Sequence, residues 1–483
     1  MNMHQLFTAA ASAAILSSCA SASAKDEWSI TAGEYLVEGL LDANGVPGMS
    51  FAVEVDGEQQ WNIGIGLRDI EANVPVTTET QFRFASVSKT FAATAAAKLY
   101  EEGMLDIDAP VTDYVPDYPP TGRDMTARQL AAHMSGIPHY QAEDAGRGIV
   151  HFDSVADALD IFKDRALLFP PGEGYNYSSY GYTLLSAVIE GASGKQYLDY
   201  VHDVLLAPAG VDEIGPEDVT VENSALTKMY EVSGGGAYEL SAHDYSYSWG
   251  GAGMRGTASD LAAFGSAVFN GELIARDTLE FVLTPTLTAA GETVGRYDYR
   301  VGFGWRIGAD YAGRRIAHHA GVTPGARSVA LIYPDDGASV AVLSNARWTS
   351  QIERTAYMIA SLFLSGSPIQ SPGACPAGAK FFSGVFDGAE TSGSVRLDYI
   401  DGVCRGVLTL SGAFADYLGE YAPNGGRDFR VVALERREDK MILAVATPLG
   451  VIDVTYDEKE EKLSTVIGSS RRFEAQVQVL TSP

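Results

Sequence analysis

Two groups of strand patterns, separated by mainly helical sequence, most constrain the fold of this chain. The first group, GMSFAVEVDGEQQWNIGIGLRD at 48–69, predicts two strands joined by a turn at Asp56-Gly57. The second begins at residue 299 and comprises YRVGFGWRIG, GRRIAHHAG, ARSVALIYP and ASVAVLSNA. Capped helical patterns such as TARQLAAHMSG and TASDLAAFGSAVFNG lie between them. One sheet built from sequence-distant pieces, with helices inserted between them, predicts an α+β architecture.

A change of composition near residue 366 predicts a second unit. The segment SGSPIQSPGACPAG is rich in Ser, Pro and Gly, as linkers are, and short alternating strands such as SVRLDYI, RGVLTL and FRVVALE follow it. We therefore predict one domain over 25–366 and a β-rich domain, a sandwich or a barrel, over 367–483. Its two cysteines, Cys375 and Cys404, form either a disulfide or two separate buried thiols, and the sequence leaves both open.

The first 24 residues have the character of a secretory signal. An apolar stretch from Leu6 to Leu16 is followed by small residues and then by a charged segment. Two processing patterns compete: lipid modification of Cys19, which would tether the protein to a membrane, and cleavage after Ala24. Either pattern predicts an exported protein that is periplasmic or secreted.

Charge and cysteine content exclude several function classes. The chain has 34 Lys and Arg against 62 Asp and Glu, a net charge of -28, which argues against binding to nucleic acid or to an anionic bilayer. With three cysteines no Cys/His zinc pattern can be built, and no dinucleotide fingerprint, P-loop or Gly-x-Ser-x-Gly elbow occurs. We predict no metal and no cofactor.

The segment FRFASVSKTFAA carries the strongest candidate for chemistry. It places Ser86 and Lys89 three residues apart at the start of a helical run, and residues at this spacing share one helix face. A serine in the first turn lies near free backbone N–H groups, and a desolvated lysine has a lowered pKa that lets it accept the hydroxyl proton. Alone, however, the pair is more typical of an N-cap serine followed by a solvated lysine.

Two downstream segments add candidate residues. PPGEGYNYSSYGYTLLSAVIEGASG places Tyr177 on a Pro- and Gly-rich loop just before an amphipathic helix. IAHHAGVTPGARS places His319 and Gly321 where a strand approaches a turn, and glycine there allows close backbone approach by a ligand. Taken singly, the tyrosine and the histidine have packing as their ordinary interpretation.

Together and in this order, these segments resemble the serine hydrolases of the class C β-lactamase, DD-peptidase and family VIII esterase group. The resemblance covers about 30–365 and extends to LAAHMSGIP and GGAGMRGTASDLAAFG. It implies a β-lactamase/transpeptidase-like fold, with an antiparallel sheet, flanking helices and a mainly helical subdomain.

The resemblance also assigns roles. It makes Ser86 the nucleophile and Lys89 its hydrogen-bonded partner, with Tyr177 sharing the base and acid role. His319 matches the first position of the family's Lys-Thr-Gly or His-x-Gly motif, which anchors substrate. The backbone N–H groups of Ser86 and Val322 are the expected oxyanion hole.

Two positions depart from the family's β-lactamase pattern. Ser179 occupies the place of the Asn in Tyr-x-Asn, so a hydroxyl replaces the amide that would contact substrate. His319 occupies the place of the Lys in Lys-Thr-Gly, which removes a fixed charge that would face a substrate carboxylate. We therefore expect an exported serine hydrolase of esters or D-amino-acid-containing peptides. A true class C β-lactamase and a catalytically silent binding or scaffold protein remain the alternatives.

Overall fold

The computed structural model describes residues 24–119, 124–233, 236–349, 351–364, 368–422, 425–468 and 470–478. Residues 1–23 of the predicted signal segment, among them Cys19, and the predicted domain boundary at 366 lie outside these residues. Within the described part of the chain, no helix is both long and apolar enough to cross a membrane.

The region before residue 365 contains thirteen strands among its described residues. They are β1 (Gly48–Val55), β2 (Glu58–Asp69), β3 (Val74–Pro75), β4 (Phe82–Arg83), β5 (Gly215–Pro216), β6 (Tyr230–Ser233), β7 (Gly236–Glu239), β8 (Met254–Gly256), β9 (Arg300–Val301), β10 (Arg306–Ala309), β11 (Arg315–Thr323), β12 (Ala326–Tyr333) and β13 (Ala338–Ser344).

The described α-helices of the same region lie mostly between the two groups of strands. They are α1 (Ala24–Asn44), α2 (Ser88–Glu101), α3 (Ala127–Ala131), α4 (Val155–Leu159), α5 (Ser179–Ser193), α6 (Tyr197–Val201), α7 (Ala207–Ala209), α8 (Trp249–Ala252), α9 (Ala258–Phe269), α10 (Arg276–Val282) and α11 (Ile352–Leu364).

The central sheet unites the two ends of this region, as the sequence predicts. Its strand order is β3-β2-β1-β13-β12-β11-β10-β9. Neighbouring strands such as β1 and β13, β11 and β12, and β12 and β13 are antiparallel. β1 pairs with β13 from Met49 opposite Ser344 to Val55 opposite Ala338. The predicted turn between β1 and β2 has Asp56 at φ 54° and Gly57 at φ 78°, as a tight hairpin turn requires. The α+β prediction is confirmed.

The helical subdomain packs on one side of this sheet around α2. A hydrophobic core joins Phe91 of α2 with aromatic side chains from distant parts of the chain, among them Tyr182 of α5, Phe264 of α9 and Trp305. The rings of Phe91 and Phe264 lie 4.3 Å apart between centroids. Because α2 is buried along most of its length, the side chains of Ser88 and Lys89 at its start are held by packing on several sides.

The C-terminal unit is a barrel rather than a sandwich. Eight strands close in sequence order: β14 (Gly378–Phe386), β15 (Ala389–Ile400), β16 (Val403–Gly412), β17 (Asp428–Arg437), β18 (Lys440–Thr447), β19 (Gly450–Asp457), β20 (Lys462–Ile467) and β21 (Arg471–Gln478). A helix, α12 (Ala413–Gly419), follows β16, and its Phe414 joins the barrel core. Cys375 and Cys404 form a disulfide.

The barrel shares a hydrophobic cluster with the first region. Trp28 and Leu36 of α1 and Ile359 of α11 belong to the same buried cluster as Val432 and Ala444 of the barrel. Each of these five side chains is no more than 3% exposed. The barrel is therefore docked through apolar contacts, and this docking brings some of its side chains to the site described next.

Candidate active site

Ser86 lies in a short 3-10 turn, Ala85–Val87, that leads directly into α2. The preceding residue, Ala85, has φ 48°, a conformation that costs energy for any residue other than glycine. Ser88 holds this turn: its Oγ donates to the carbonyl of Ala85 at 2.6 Å and accepts from the N–H of Met254 at 3.0 Å. The strained turn places Ser86 in the lining of a cavity.

Lys89 lies one helical turn beyond Ser86 and is fully buried. Its Nζ lies 3.3 Å from Ser86 Oγ and donates to Ser179 Oγ at 2.9 Å and to the carbonyl of Gly251 at 2.6 Å. Burial lowers its pKa well below the usual value, and the charge on Arg306 lowers it further. A neutral amine held by two acceptors keeps its lone pair for the proton of Ser86.

Tyr177 lies on the loop that precedes α5 and faces the same two side chains. Its ring centroid is 4.9 Å from Lys89 Nζ, and its hydroxyl interacts with Ser86 and Ser179. Burial raises the pKa of Tyr177, while Arg306 and the two hydroxyls lower it to a lesser extent. The phenol therefore holds its proton at neutral pH and can donate it.

Ser179 and His319 belong to the site but lie behind its reactive groups. Ser179 is 1% exposed and contacts Lys89, so its side chain does not line the cavity where the sequence predicts contact with substrate. His319 is equally buried; its Nδ1 lies 3.0 Å from the carbonyl of Ala320, and its ring is 6.2 Å from that of Tyr177. In this structure both residues are buried beside Lys89 and Tyr177, and neither lines the cavity.

Gly321 and Val322, on β11, border Ser86 from the other side. A Cβ on Gly321 would lie 2.2 Å from the carbonyl oxygen of Phe84 and 3.0 Å from the backbone nitrogen of Ser86. The sequence suggested that this glycine allows close approach by a ligand. In the structure it instead allows close approach by the Ser86 turn. Val322 is 46% exposed and lines the cavity, next to the predicted oxyanion site.

Two histidines that have no predicted role, His133 and His139, pack against Tyr177. The His133 ring lies 4.3 Å from the Tyr177 ring, and its Nδ1 accepts a hydrogen bond from the N–H of Ser178. His139 stacks edge-on against Tyr177 at 5.5 Å, and its Nδ1 accepts from the N–H of Ser179. Burial lowers the pKa of both, that of His139 to about 4, so both rings are neutral at physiological pH. The segment LAAHMSGIP, which contains His133, is the sequence feature from which a role for this histidine could have been predicted.

The cavity in front of Ser86 has a volume of about 1090 Å³ and two different walls. One wall comes from the central sheet and the loops around it, including Tyr177, Val322 and Arg327. The other comes from the barrel, through Tyr417, Glu420, Tyr421, Pro448, Ile467, Gly468, Ser470 and Arg471. In the described ranges, no group of three or more His, Cys, Asp or Glu side chains is arranged to hold a metal ion.

Comparison with known sequences agrees with this geometry. The sequence matches the family described as Beta-lactamase over residues 34–361. The mouse serine beta-lactamase-like protein LACTB, a mitochondrial protein, is 28% identical over 64% of this chain and 73% of its own. Penicillin-binding protein 4* of Bacillus subtilis is 29% identical over 70% of this chain and 76% of its own.

Solved structures of other proteins have a fold similar to that of this chain. An octameric penicillin-binding protein homologue from Pyrococcus abyssi covers 93% of this chain and 99% of its own, with a TM-score of 0.59 and 23% identity. A D-stereospecific amidohydrolase from Streptomyces covers 70% of this chain and 99% of its own, with a TM-score of 0.58 and 23% identity. From the family match and the shared fold, we conclude that the chain belongs to the beta-lactamase family of serine hydrolases.

Proposed function

We propose that the protein is an exported serine hydrolase that forms an acyl-enzyme on Ser86, from esters or from amides of D-amino acids. The contact set of Lys89 is the observation that carries this proposal. A fully buried lysine beside a serine, bonded to two further acceptors, has a lowered pKa and no structural counter-ion among the described residues. The proposal of export rests on the apolar segment within residues 1–24.

In the acylation step, Ser86 Oγ attacks the substrate carbonyl and its proton passes to Lys89 Nζ. The neutral phenol of Tyr177 then donates its proton to the leaving oxygen or nitrogen and recovers a proton from Lys89. The bond from the carbonyl carbon to the leaving group breaks as the bond to Ser86 Oγ forms. The pKa directions of the two side chains favour this division, with the lysine as base and the tyrosine as acid.

In deacylation, water replaces the leaving group on the same side of the acyl-enzyme. Tyr177 and Lys89 take the proton of the attacking water, and the proton returns to Ser86 Oγ as the ester bond breaks. The negative charge of each tetrahedral intermediate is stabilised by the backbone N–H of Ser86, at the start of α2, with Val322 N–H as the second donor.

Two observations support esters and D-amino acid amides over β-lactams. Ser179 stands in place of the family's asparagine, and its hydroxyl accepts a hydrogen bond from Lys89 and does not line the cavity. One structural neighbour, from Streptomyces, is described as a D-stereospecific amidohydrolase. The large volume of the cavity is compatible with a peptide as well as with a small ester.

A fluorophosphonate and p-nitrophenyl butyrate test the proposal together. We expect a covalent adduct on Ser86, located by peptide mapping, and ester hydrolysis that Ser86→Ala abolishes. Lys89→Met should lower kcat/KM by roughly 10²- to 10⁴-fold, as loss of a general base does. Lys98→Met is the matched control, because Lys98 lies on the same helix, in an ion pair with Glu101.

The outcomes separate the alternatives. A folded protein without an adduct and without turnover would contradict the proposal and favour a binding protein. The reaction with benzylpenicillin is measured by the intact mass of the protein and by product release. Rapid hydrolysis would indicate a β-lactamase, whereas a long-lived penicillin adduct on Ser86 would indicate a DD-peptidase-like site.

A further inference from the structure

We propose that Tyr140 is a positioning residue: it fixes the hydroxyl of Ser179 so that this hydroxyl accepts a hydrogen bond from Lys89 and does not donate one. The lone pair of Lys89 is thereby kept for the proton of Ser86. This inference rests on the proposed function and adds a residue to its machinery. The departure at Ser179 makes such a residue necessary, because a hydroxyl can rotate and donate its proton, whereas the oxygen of an asparagine amide can only accept.

The contacts of Lys89 define what has to be fixed. A neutral amine has two N–H donors and one lone pair. The carbonyl of Gly251, 2.6 Å from Nζ, can only accept, so it takes one N–H. The hydroxyls of Ser86 at 3.3 Å and Ser179 at 2.9 Å share the other N–H and the lone pair. If Ser179 donates to the lone pair, Ser86 must accept, and its proton then points away from the base.

Tyr140 supplies the acceptor that removes this competition. It lies on the loop after α3, and its hydroxyl donates to Ser248 Oγ at 3.1 Å and interacts with the hydroxyl of Ser179. Tyr247 also reaches this hydroxyl. Because the proton of Tyr140 is used by Ser248, the phenolic oxygen offers its lone pairs to Ser179. The proton of Ser179 is then directed at Tyr140, and its own lone pairs are left for Lys89.

Packing holds the hydroxyl of Tyr140 in place. Its ring stacks on that of His139 at 4.4 Å and lies edge-on to the rings of Tyr180 at 5.0 Å and Tyr247 at 5.6 Å. The two serines that it contacts are each no more than 1% exposed. Solvent therefore does not compete for these hydroxyls, and the order of their hydrogen bonds is set by the protein.

The first turn of α8 brings the two ends of this network together. Ser248 immediately precedes α8, and Gly251 lies within it. A Cβ on Gly251 would lie 2.3 Å from Ser248 Oγ and 3.2 Å from Ser179 Cβ. The residue whose carbonyl binds Lys89 thus packs directly against both serines, so the acceptors around the amine and the acceptor of Tyr140 form one rigid unit.

Other titratable and charged groups also face Lys89. They come from β10, β11, α5 and the loops that precede and follow α5 and α3, and are Arg306, His319, Tyr182, Tyr177, His133 and His139. Tyr177 also interacts with Ser179, so its oxygen is a second acceptor to which the proton of Ser179 can turn. Since Lys89 and Tyr177 are the groups that we propose for proton transfer, a free Ser179 proton interferes with the reaction at either one.

Tyr140→Phe tests the inference because it keeps the ring and removes the hydroxyl. The proton of Ser179 then turns to one of the two proton-transfer groups, and that hydrogen bond has to break before Ser86 reacts. We expect kcat/KM for p-nitrophenyl butyrate to fall roughly 3- to 15-fold, as the loss of one neutral hydrogen bond predicts. Tyr200→Phe on α6 is the matched control, because this buried hydroxyl has no hydrogen-bond partner among the described residues.

The pH profile of kcat/KM separates this role from a loss of packing. In the native protein Ser179 accepts from Lys89 in both protonation states of the amine. In Tyr140→Phe it can also donate to Lys89, but only while the amine is neutral, so the neutral form is favoured and the pKa falls. A proton donated to Tyr177 likewise favours the phenolate and lowers the pKa of that phenol. We therefore expect one limb of the profile to move to lower pH.

A double-mutant cycle with Ser179→Ala identifies the route. Without its hydroxyl, position 179 has no proton to turn, so adding Tyr140→Phe to Ser179→Ala should change kcat/KM by less than about 2-fold. Ser248→Ala is a second variant that leaves Tyr140 intact and keeps the inference testable if Tyr140→Phe does not fold. The phenol loses its acceptor and donates to Ser179, whose proton turns to the base. The rate and the pH profile should therefore change as in Tyr140→Phe.

The pKa of Lys89 provides a readout without turnover. Carbon NMR of protein labelled at the lysine Cε measures it, with the signal identified by its absence in Lys89→Met. A lower pKa in Tyr140→Phe that Ser179→Ala removes would support the inference even in a protein without hydrolase activity. The absence of a Ser86 adduct in the native protein would contradict the proposed function alone.

Three results would overturn the role of Tyr140. The first is a rate and a pH profile that are both unchanged in Tyr140→Phe. The second is a loss of rate that persists at full size in the Ser179→Ala background, since Tyr140 would then act through packing. The third is a limb of the profile that moves to higher pH.

Discussion

Lys89 Nζ lies 4.9 Å from the centroid of the Tyr177 ring, so the two groups that we propose for proton transfer lie side by side. Their pKa values are shifted in opposite directions, and burial is the first cause of both shifts. An amine that is neutral and a phenol that is neutral can coexist only between these two pKa values. The site therefore has a broad pH range in which both groups are in the form that the proposed reaction uses.

This arrangement predicts the pH dependence of kcat/KM for a neutral ester. The rate should rise with pH as Lys89 loses its proton, and because burial lowers the pKa of Lys89 this rise should lie well below the usual lysine value of about 10.4. It should fall only above about pH 10, where Tyr177 ionises. Steady-state rates between pH 4 and 11, with circular dichroism to confirm folding at each pH, check this. A rate that rises only above pH 9 would contradict a neutral Lys89.

Gly321→Ala should strongly lower activity. The added Cβ would lie 2.2 Å from the carbonyl oxygen of Phe84 and would force β11 away from the Ser86 turn. We expect kcat for p-nitrophenyl butyrate to fall at least about 100-fold, since a displacement near 1 Å has that effect on catalysis. Gly373→Ala is the control, because nothing lies within 4 Å of its added Cβ and its φ lies outside the left-handed region. Unchanged kcat in Gly321→Ala would exclude this packing role.

Tyr421→Ala should affect long substrates more than short ones, because Tyr421 belongs to the barrel wall of the cavity. It is 46% exposed, so its removal should not disturb the fold. We expect KM to rise several-fold for a D-configured tripeptide ester and to stay constant for p-nitrophenyl acetate. Tyr238→Ala, at an exposed tyrosine that does not line this cavity, is the matched control. Equal effects on both substrates would show that the barrel wall does not contact the remote part of the substrate.

Replacing both Cys375 and Cys404 by serine should destabilise the barrel. Their disulfide closes a loop with a sequence separation of 29, and the loop-entropy relation gives a loss of about 3–4 kcal/mol in the free energy of unfolding. Urea denaturation, monitored by tryptophan fluorescence and by far-UV circular dichroism, measures this change. Native protein treated with a reductant should show the same loss, whereas an unchanged midpoint in both samples would exclude a stabilising role.

Local sequence signals predicted most of the fold. The Asp56-Gly57 turn, the helix that begins near Ser86 and the barrel's alternating strands each depend on near neighbours in the chain, and each appears in the structure. The resemblance to the family implied an antiparallel sheet with flanking helices, and the order of its strands came from the structure. The sequence did not distinguish a sandwich from a barrel in the C-terminal domain, because the alternation of apolar and polar residues along the strands is the same in both.

The electrostatic environment of the site could not be predicted in the same way. Ser179 was expected to face substrate, but its orientation depends on Lys89, which lies 90 residues earlier. Arg306 and Arg327 are ordinary strand residues in the sequence, and only tertiary packing shows that both are turned into the cavity without described ion-pair partners. The shared cluster between α1, α11 and the barrel likewise joins segments that no local pattern relates.

The pairing of β1 with β13 has a consequence for how the protein forms during synthesis. Val53 is paired with Val340, so the first strand of the sheet has no partner on that edge until nearly 300 further residues have been made. The strand that borders Ser86, β11, is also a late segment of the chain. The growing chain therefore cannot assemble its reactive centre early, and contacts of such long sequence separation make folding slow. A protein of this design completes its hydrolytic centre only after almost all of its catalytic region has been translated.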